Sequence, residues 1–213
     1  MKKYELTAEF IEKWGKKLFR IKALISFGSV EAGELGGYVE KEDNLAQDGD
    51  AWVYGNAWVY GNARVCGDAE VYGNARVYGD AEVYGNARVC GDARVCGNAR
   101  VYGDAEVYGN ARVYGNARVY GDAEVYGDAD YLLIGRIGSR FSFTTFFKNK
   151  DKGITVSCGC FLGTIAEFRA KVTDTHGNNK HAKMYNLAAD MAELQILGEE
   201  HFDKLNTNKS EPF

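Results

Sequence analysis

The chain has 213 residues, 46% of them hydrophobic, with a formal net charge of −4 and a pI near 5.5. That supplies core material for one or two compact units, and the acidic balance weighs against nucleic-acid partners, which call for a basic footprint. No apolar run approaches a membrane span or the core of a signal peptide, so a soluble, cytoplasmic protein without a membrane partner is expected.

Residues 1–44 read as an N-terminal β cap. Tyr4 to Leu6 and Leu18 to Leu24 alternate enough to be strands, with Gly15 as turn material between them. Gly36-Gly37-Tyr38-Val39 and Leu45 then lead into a run that dominates everything else, residues 45–130.

In that run thirteen valines stand six apart, from Val53 to Val125, each preceded two residues earlier by an alanine (Ala51 to Ala123). A six-residue unit cannot bury its own apolar residues, so it must stack on copies of itself as a solenoid. Ala-x-Val alternates inward, outward, inward as a short strand does, and Tyr-Gly-Asn/Asp turns the corner with the residue types that accept a left-handed backbone. A filled Val-plus-Ala interior sends function to the faces, the subunit contacts and the flanks.

Sorting the outward residues by an eighteen-residue coil gives three columns. Trp58, Arg76, Arg94 and Arg112 share one, Arg64, Glu82, Arg100 and Arg118 the second, and Trp52, Glu70, Arg88, Glu106 and Glu124 the third. Like charges on adjacent rungs repel, so the arginine column wants an anion: corner aspartates, a neighbouring subunit or a ligand. Ten of the thirteen corner positions are tyrosine, and Cys66, Cys90 and Cys96 fill the others. Stacked rings there are structural first and a contact surface second.

Beyond Asp130 the hexads stop, and residues 131–200 read as a C-terminal α/β cap. Phe141 to Phe147 and Ile154 to Val156 form a hairpin around the turn-like Asn149 to Gly153. Thr164 and Glu167 make a capping box that opens a helix with Ile165, Phe168 and Val172 on one face, stopping near His176-Gly177. A second helix from about Asn179 carries Met184, Leu187, Ala188, Met191 and Leu194 on one stripe and ends at Gly198. Residues 201–213 are expected to form a loose tail. Five cysteines, an odd number, do not form a disulfide framework. Cys158-Gly-Cys160 reads as part of a strand with both thiols on one face, too few ligands for a metal.

The fold class is thus mainly β: a hexapeptide solenoid with an N-terminal β cap and a C-terminal cap of a hairpin and two helices. The repeat resembles the left-handed parallel β-helix superfamily, which implies three hexads per triangular coil, left-handed winding and a trimeric assembly. The order of LGGYVEKEDNL, GDAWVYGNA, IGSR, TTFF, CGCFLGTIAEF and THGNNKHA is similar to a family of hexapeptide-repeat proteins of phages and gut-type bacteria without assigned function, which implies a bacterial or phage-infected host cell.

Acyltransferases of this superfamily use a histidine base beside a loop extruded from the coil. Here the histidines, His176, His181 and His201, all lie outside the repeats, and no loop interrupts them. No catalytic residue, cofactor or metal is therefore assigned, and acyl-CoA transfer and a purely structural scaffold stay as alternatives. The candidate ligand residues are Gly138, Ser139, Arg140, Thr144, Thr145 and His176, because glycine-turn amides, hydroxyls and a guanidinium suit an anionic, nucleotide-like group. The expectation is an oligomeric binding protein that sequesters such a ligand, or a protein partner, through its C-terminal cap and subunit interfaces.

Overall fold

The computed structural model describes residues 2–200; the expected tail, with His201, lies outside the described residues. The chain divides into two compact units, Met1–Asp122 with Tyr126–Asp128, and Ala123–Val125 with the chain from Ala129 on.

The first unit opens with an antiparallel hairpin of β1 (Tyr4–Lys13) and β2 (Lys16–Ala23). The first strand continues well past Leu6, through a register shift between Leu6 and Phe10, and its outer half is too exposed to show an apolar alternation. Trp14 and Gly15 turn it with φ of 51° and 74°, the signs of a type I′ turn. A bulky residue is unusual there, but the Trp14 ring packs 5.8 Å from that of Trp58 and 5.7 Å from that of Tyr60. The Arg76 guanidinium lies over both indoles, so the hairpin tip is pinned to the solenoid face. The following strand, β3 (Leu35–Val39), pairs antiparallel with β2 and parallel with Trp58–Val59, converting hairpin into solenoid.

Thirteen two-residue strands follow, β4 (Trp52–Val53) to β16 (Glu124–Val125). They pair in parallel at the coil spacing expected from the sequence: Arg94 lies between Arg76 and Arg112, Arg88 between Glu70 and Glu106, and Arg100 between Glu82 and Arg118. This is a parallel β-solenoid, and every alanine and valine of the repeat is fully buried inside it. The charged columns are partly self-neutralising, since Arg88 contacts Glu70 and Glu106, and Arg100 contacts Glu82.

At the corners, Asn62, Asn74 and Asn86 each donate a side-chain amide to the aspartate one coil on, Asp80, Asp92 and Asp104, at 3.1, 3.1 and 2.9 Å. At these three steps an Asn beside an Asp puts a hydrogen bond where two carboxylates would repel. Lys3 is buried, its Nζ donating to the carbonyls of Gly49 and Ala51 at 3.1 and 2.9 Å, and burial pushes its pKa down.

In the second unit the expected hairpin is the middle of a four-stranded antiparallel sheet, β17 (Tyr131–Ile137), β18 (Ser142–Lys148), β19 (Ile154–Cys158) and β20 (Phe161–Thr164), paired in chain order. A register shift and the left-handed Arg136 interrupt β17, masking its alternation. Helix α1 (Ile165–His176) opens on the expected capping box, in which the Glu167 amide donates to Thr164 Oγ1 while Glu167 Oε2 accepts from the Thr164 amide.

Helix α2 (Lys180–Leu197) keeps its expected ends, with Asn179 accepting from the amides of His181 and Ala182 and Gly198 after the last turn. Its buried face differs from the stripe read in the sequence. Ala182, Tyr185, Ala188, Ala189, Ala192 and Ile196 face the core with Phe146, Val156, Phe168 and Val172, whereas Met184, Leu187, Met191 and Leu194 are exposed, Leu187 by 63%. The alanines let the helix backbone approach its neighbours closely, a packing that larger side chains would prevent. No helix among the described residues is long and apolar enough to cross a membrane.

Candidate functional site

The second unit holds a pocket of about 190 Å³ bounded by two turns and one helix face. The turn between β17 and β18 brings Ser139 and Arg140, with Ser142 just after it; the turn between β19 and β20 brings Cys158, Gly159 and Cys160. Helix α1 contributes Phe168, Lys171, Val172, Thr175 and His176, which share one face because they recur at three and four residues. Tyr185 of α2 and Phe161 complete the apolar floor.

The floor is built by edge contacts. The Phe168 ring stands 5.6 Å from those of Phe161 and Tyr185, nearly perpendicular to the latter, and the His176 ring stacks on Tyr185 at 5.7 Å. Burial, reinforced by the neighbouring Cys158 thiol, pushes the Tyr185 phenol up to about 12, so it stays a neutral donor. Above this floor the pocket carries two cations, Arg140 and Lys171, and three hydroxyls, Ser139, Ser142 and Thr175. Among the described residues neither cation has a salt-bridge partner.

Of the six residues singled out in the sequence, Ser139, Arg140 and His176 line this pocket. Gly138 instead packs against the Tyr185 phenol, allowing the turn to sit on the floor ring. Thr144 and Thr145 do not offer their hydroxyls to a ligand. Both are buried within β18, where Thr144 Oγ1 donates to Cys158 Sγ at 3.2 Å. Cys158-Gly-Cys160 is a strand end and a hairpin turn instead of a continuous strand, with Gly159 at φ 64°.

Lys171, Thr175 and Tyr185 escaped the sequence reading. The signal for the first two was present, because they follow Phe168 at three and seven residues on the stripe that also holds Val172 and His176. Tyr185 had no such signal. Its inward position depends on which face of α2 packs.

The His176 and His181 rings lie 5.8 Å apart, and His181 Nδ1 is buried without a hydrogen-bond partner. Among the described residues no group of three His, Cys, Asp or Glu side chains is placed to hold a metal.

Fold and pocket together define a parallel β-solenoid protein bearing a compact α/β unit with a cationic, aromatic-floored pocket. Residues 51–67, 69–84, 93–109, 105–121 and 111–127 are similar to the YdcK beta solenoid repeat family. All of these stretches lie in the repeats, so the similarity concerns the solenoid and not the pocket. No curated protein matches the chain.

Proposed function

We propose that the C-terminal unit binds and retains a small anionic ligand with a ring or other flat apolar portion, without turning it over. The observation that carries this reading is the convergence of Arg140 and Lys171, neither of them in a salt bridge among the described residues, on a pocket floored by Phe161, Phe168 and Tyr185. Guanidinium and ammonium groups supply charge-assisted donors for a carboxylate or phosphate, and the serine and threonine hydroxyls add directional ones. The rings below provide a face for stacking.

The volume sets a limit. A cavity of about 150 Å³ holds a benzene ring, so this pocket takes one ring with its acidic group, and a nucleotide would seat one portion and leave the rest at the mouth. The test is a thermal-shift and calorimetric screen of aromatic carboxylates, nucleoside monophosphates and acyl-CoA against the full chain. Binding of one anionic class that weakens about tenfold or more in Arg140→Gln and in Lys171→Gln supports the reading. Stabilisation by none of them, or affinity in both variants unchanged from the unsubstituted chain, overturns it. Turnover of acyl-CoA that is lost on His176→Ala would favour acyl transfer instead.

A second reading, self-association through the arginine column, is favoured by Arg94 and Arg112, which stand in register with no salt bridge among the described residues. An acidic face of another copy would supply the missing charge in a homotrimer. Light scattering at low and high salt tests it: a single-chain mass at both would remove it.

A further inference from the structure

Cys158 and Cys160 both line the pocket, one half-buried and one exposed, and both are free thiols. They are the first and third residues of a four-residue turn, closed by the pair Cys158 and Phe161, whose two loop residues are Gly159 and Cys160. Gly159 takes the first loop position at φ 64°, while Cys160 has no positive φ, the pattern of a type II′ turn. Consecutive Cα atoms stand about 3.8 Å apart, so where the chain bends the first and third fall below the roughly 7 Å of an extended chain, near the separation of about 4.4–6.8 Å that a disulfide spans. The other three cysteines, Cys66, Cys90 and Cys96, occupy solenoid corners in the first unit.

The surroundings are also suited to exchange chemistry. The Cys158 sulfur is held by the Thr144 hydroxyl. Arg140 Nη1 lies over the turn, 3.7 Å from where a β-carbon on Gly159 would stand, and Lys171 lines the same pocket. Cations lining the pocket attract an anionic reaction partner to the turn.

We propose that Cys158 and Cys160 form a redox-active dithiol that exchanges with small anionic disulfides entering this pocket. The exposed Cys160 thiolate attacks one sulfur of the incoming disulfide, whose S–S bond breaks as the first thiolate leaves. Cys158, as thiolate, then attacks the Cys160 sulfur of the mixed disulfide and expels the second thiolate. The two cysteine protons end on the two released thiols. The protein is oxidised by two electrons and the small disulfide is reduced by two. Closing so short a loop strains the bond, and strained disulfides are the oxidising, readily reversed ones. The preference for an anionic partner rests on the anion-binding reading above; the dithiol itself rests only on the turn.

The experiment treats reduced full-length protein with dithiodipropionate, a small dianion, and with hydroxyethyl disulfide, its uncharged counterpart of similar size, and follows intact mass and peptide maps. The expected result is loss of two hydrogens located to the peptide holding Cys158 and Cys160, reversed by dithiothreitol. Cys158→Ser should instead accumulate a mixed disulfide on Cys160. No internal disulfide with either reagent, or a mixed disulfide that persists in the unsubstituted protein, overturns the proposal. The anionic preference is read as the rate ratio between the two reagents, expected to fall by about threefold or more in Arg140→Gln. An unchanged ratio removes that preference alone, and anion binding measured separately shows whether the earlier reading fails with it.

Discussion

Gly138 lies directly against the phenol of Tyr185: a β-carbon on the glycine would fall inside the ring and its hydroxyl. The φ of 72° at Gly138 also belongs to the left-handed region, so the turn that carries Ser139 and Arg140 depends on this residue twice.

Gly138→Ala should therefore destabilise the C-terminal unit by about 1–3 kcal/mol, read as a lower urea midpoint. The penalty should shrink in a Tyr185→Phe background, because the hydroxyl is the nearest atom a β-carbon meets. Strict additivity of the two substitutions, in place of a coupling of about 0.5 kcal/mol or more, would show that the hydroxyl does not set the cost and leave it to the ring carbons and the backbone.

The solenoid corners allow the same two causes to be separated. Gly55 and Gly85 share a left-handed backbone, at φ 56° and 70°, but a β-carbon on Gly55 meets nothing within 4 Å whereas one on Gly85 would stand 2.9 Å from the Gly103 amide nitrogen. Gly55→Ala should cost about 1–2 kcal/mol, the left-handed penalty alone. Gly85→Ala should cost about 1–3 kcal/mol more, since two stacked backbones must move apart. Equal chemical-denaturation midpoints for the two variants would contradict this.

Tyrosine stacking ties the solenoid to alkaline pH. Tyr102 lies between Tyr84 and Tyr120 at ring separations of 4.7 and 4.5 Å. Burial, together with repulsion from the neighbouring phenols, pushes its pKa up to about 12. An unfolded tyrosine loses its proton near pH 10, so between about pH 10 and 12 the unfolded state binds fewer protons and stability falls as pH rises. Below about pH 10 this contribution is fully present. Urea midpoints measured from about pH 8 to 11 should decline more gently for Tyr102→Phe than for the unsubstituted chain; parallel declines would exclude this tyrosine as a cause.

The solenoid is legible in the sequence because each unit repeats the same instruction: a small and a branched residue inward, glycine at the corner, and a register that strict spacing fixes for every coil. The columns through Arg94 and Arg88 follow from counting along the chain in eighteens. The C-terminal unit has one copy of each instruction, and there the pattern says less. Thr144 and Thr145 resemble ligand hydroxyls in the sequence because a lone strand does not say which of its faces will be covered. Helix α2 misleads for a related reason, since apolar bulk points to Met184 and Leu187 while close packing selects the alanines. The pocket is half visible. Ser139, Arg140 and His176 are found by chemistry, Lys171 and Thr175 are available from helical spacing, and Tyr185 requires the packing itself.

The two helices of the C-terminal unit are joined by a polar contact that sequence pattern does not show. Arg169 Nη2 on α1 donates to Asp190 Oδ1 and to Glu193 Oε2 on α2, both at 2.7 Å, and the Glu193 side chain is only 7% exposed. Removing the arginine leaves a buried carboxylate without its counter-charge, at a cost of about 3–5 kcal/mol. Arg169→Met should therefore melt well below the unsubstituted protein. Adding Glu193→Leu should recover most of that loss, because a desolvated carboxylate is then replaced by apolar contact with the same core. If the double variant is no more stable than Arg169→Met, the arginine acts through the packing of its aliphatic stem and not through charge. Neither residue lines the pocket, so ligand affinity in the double variant should stay within about twofold of the unsubstituted chain, a change below about 0.5 kcal/mol.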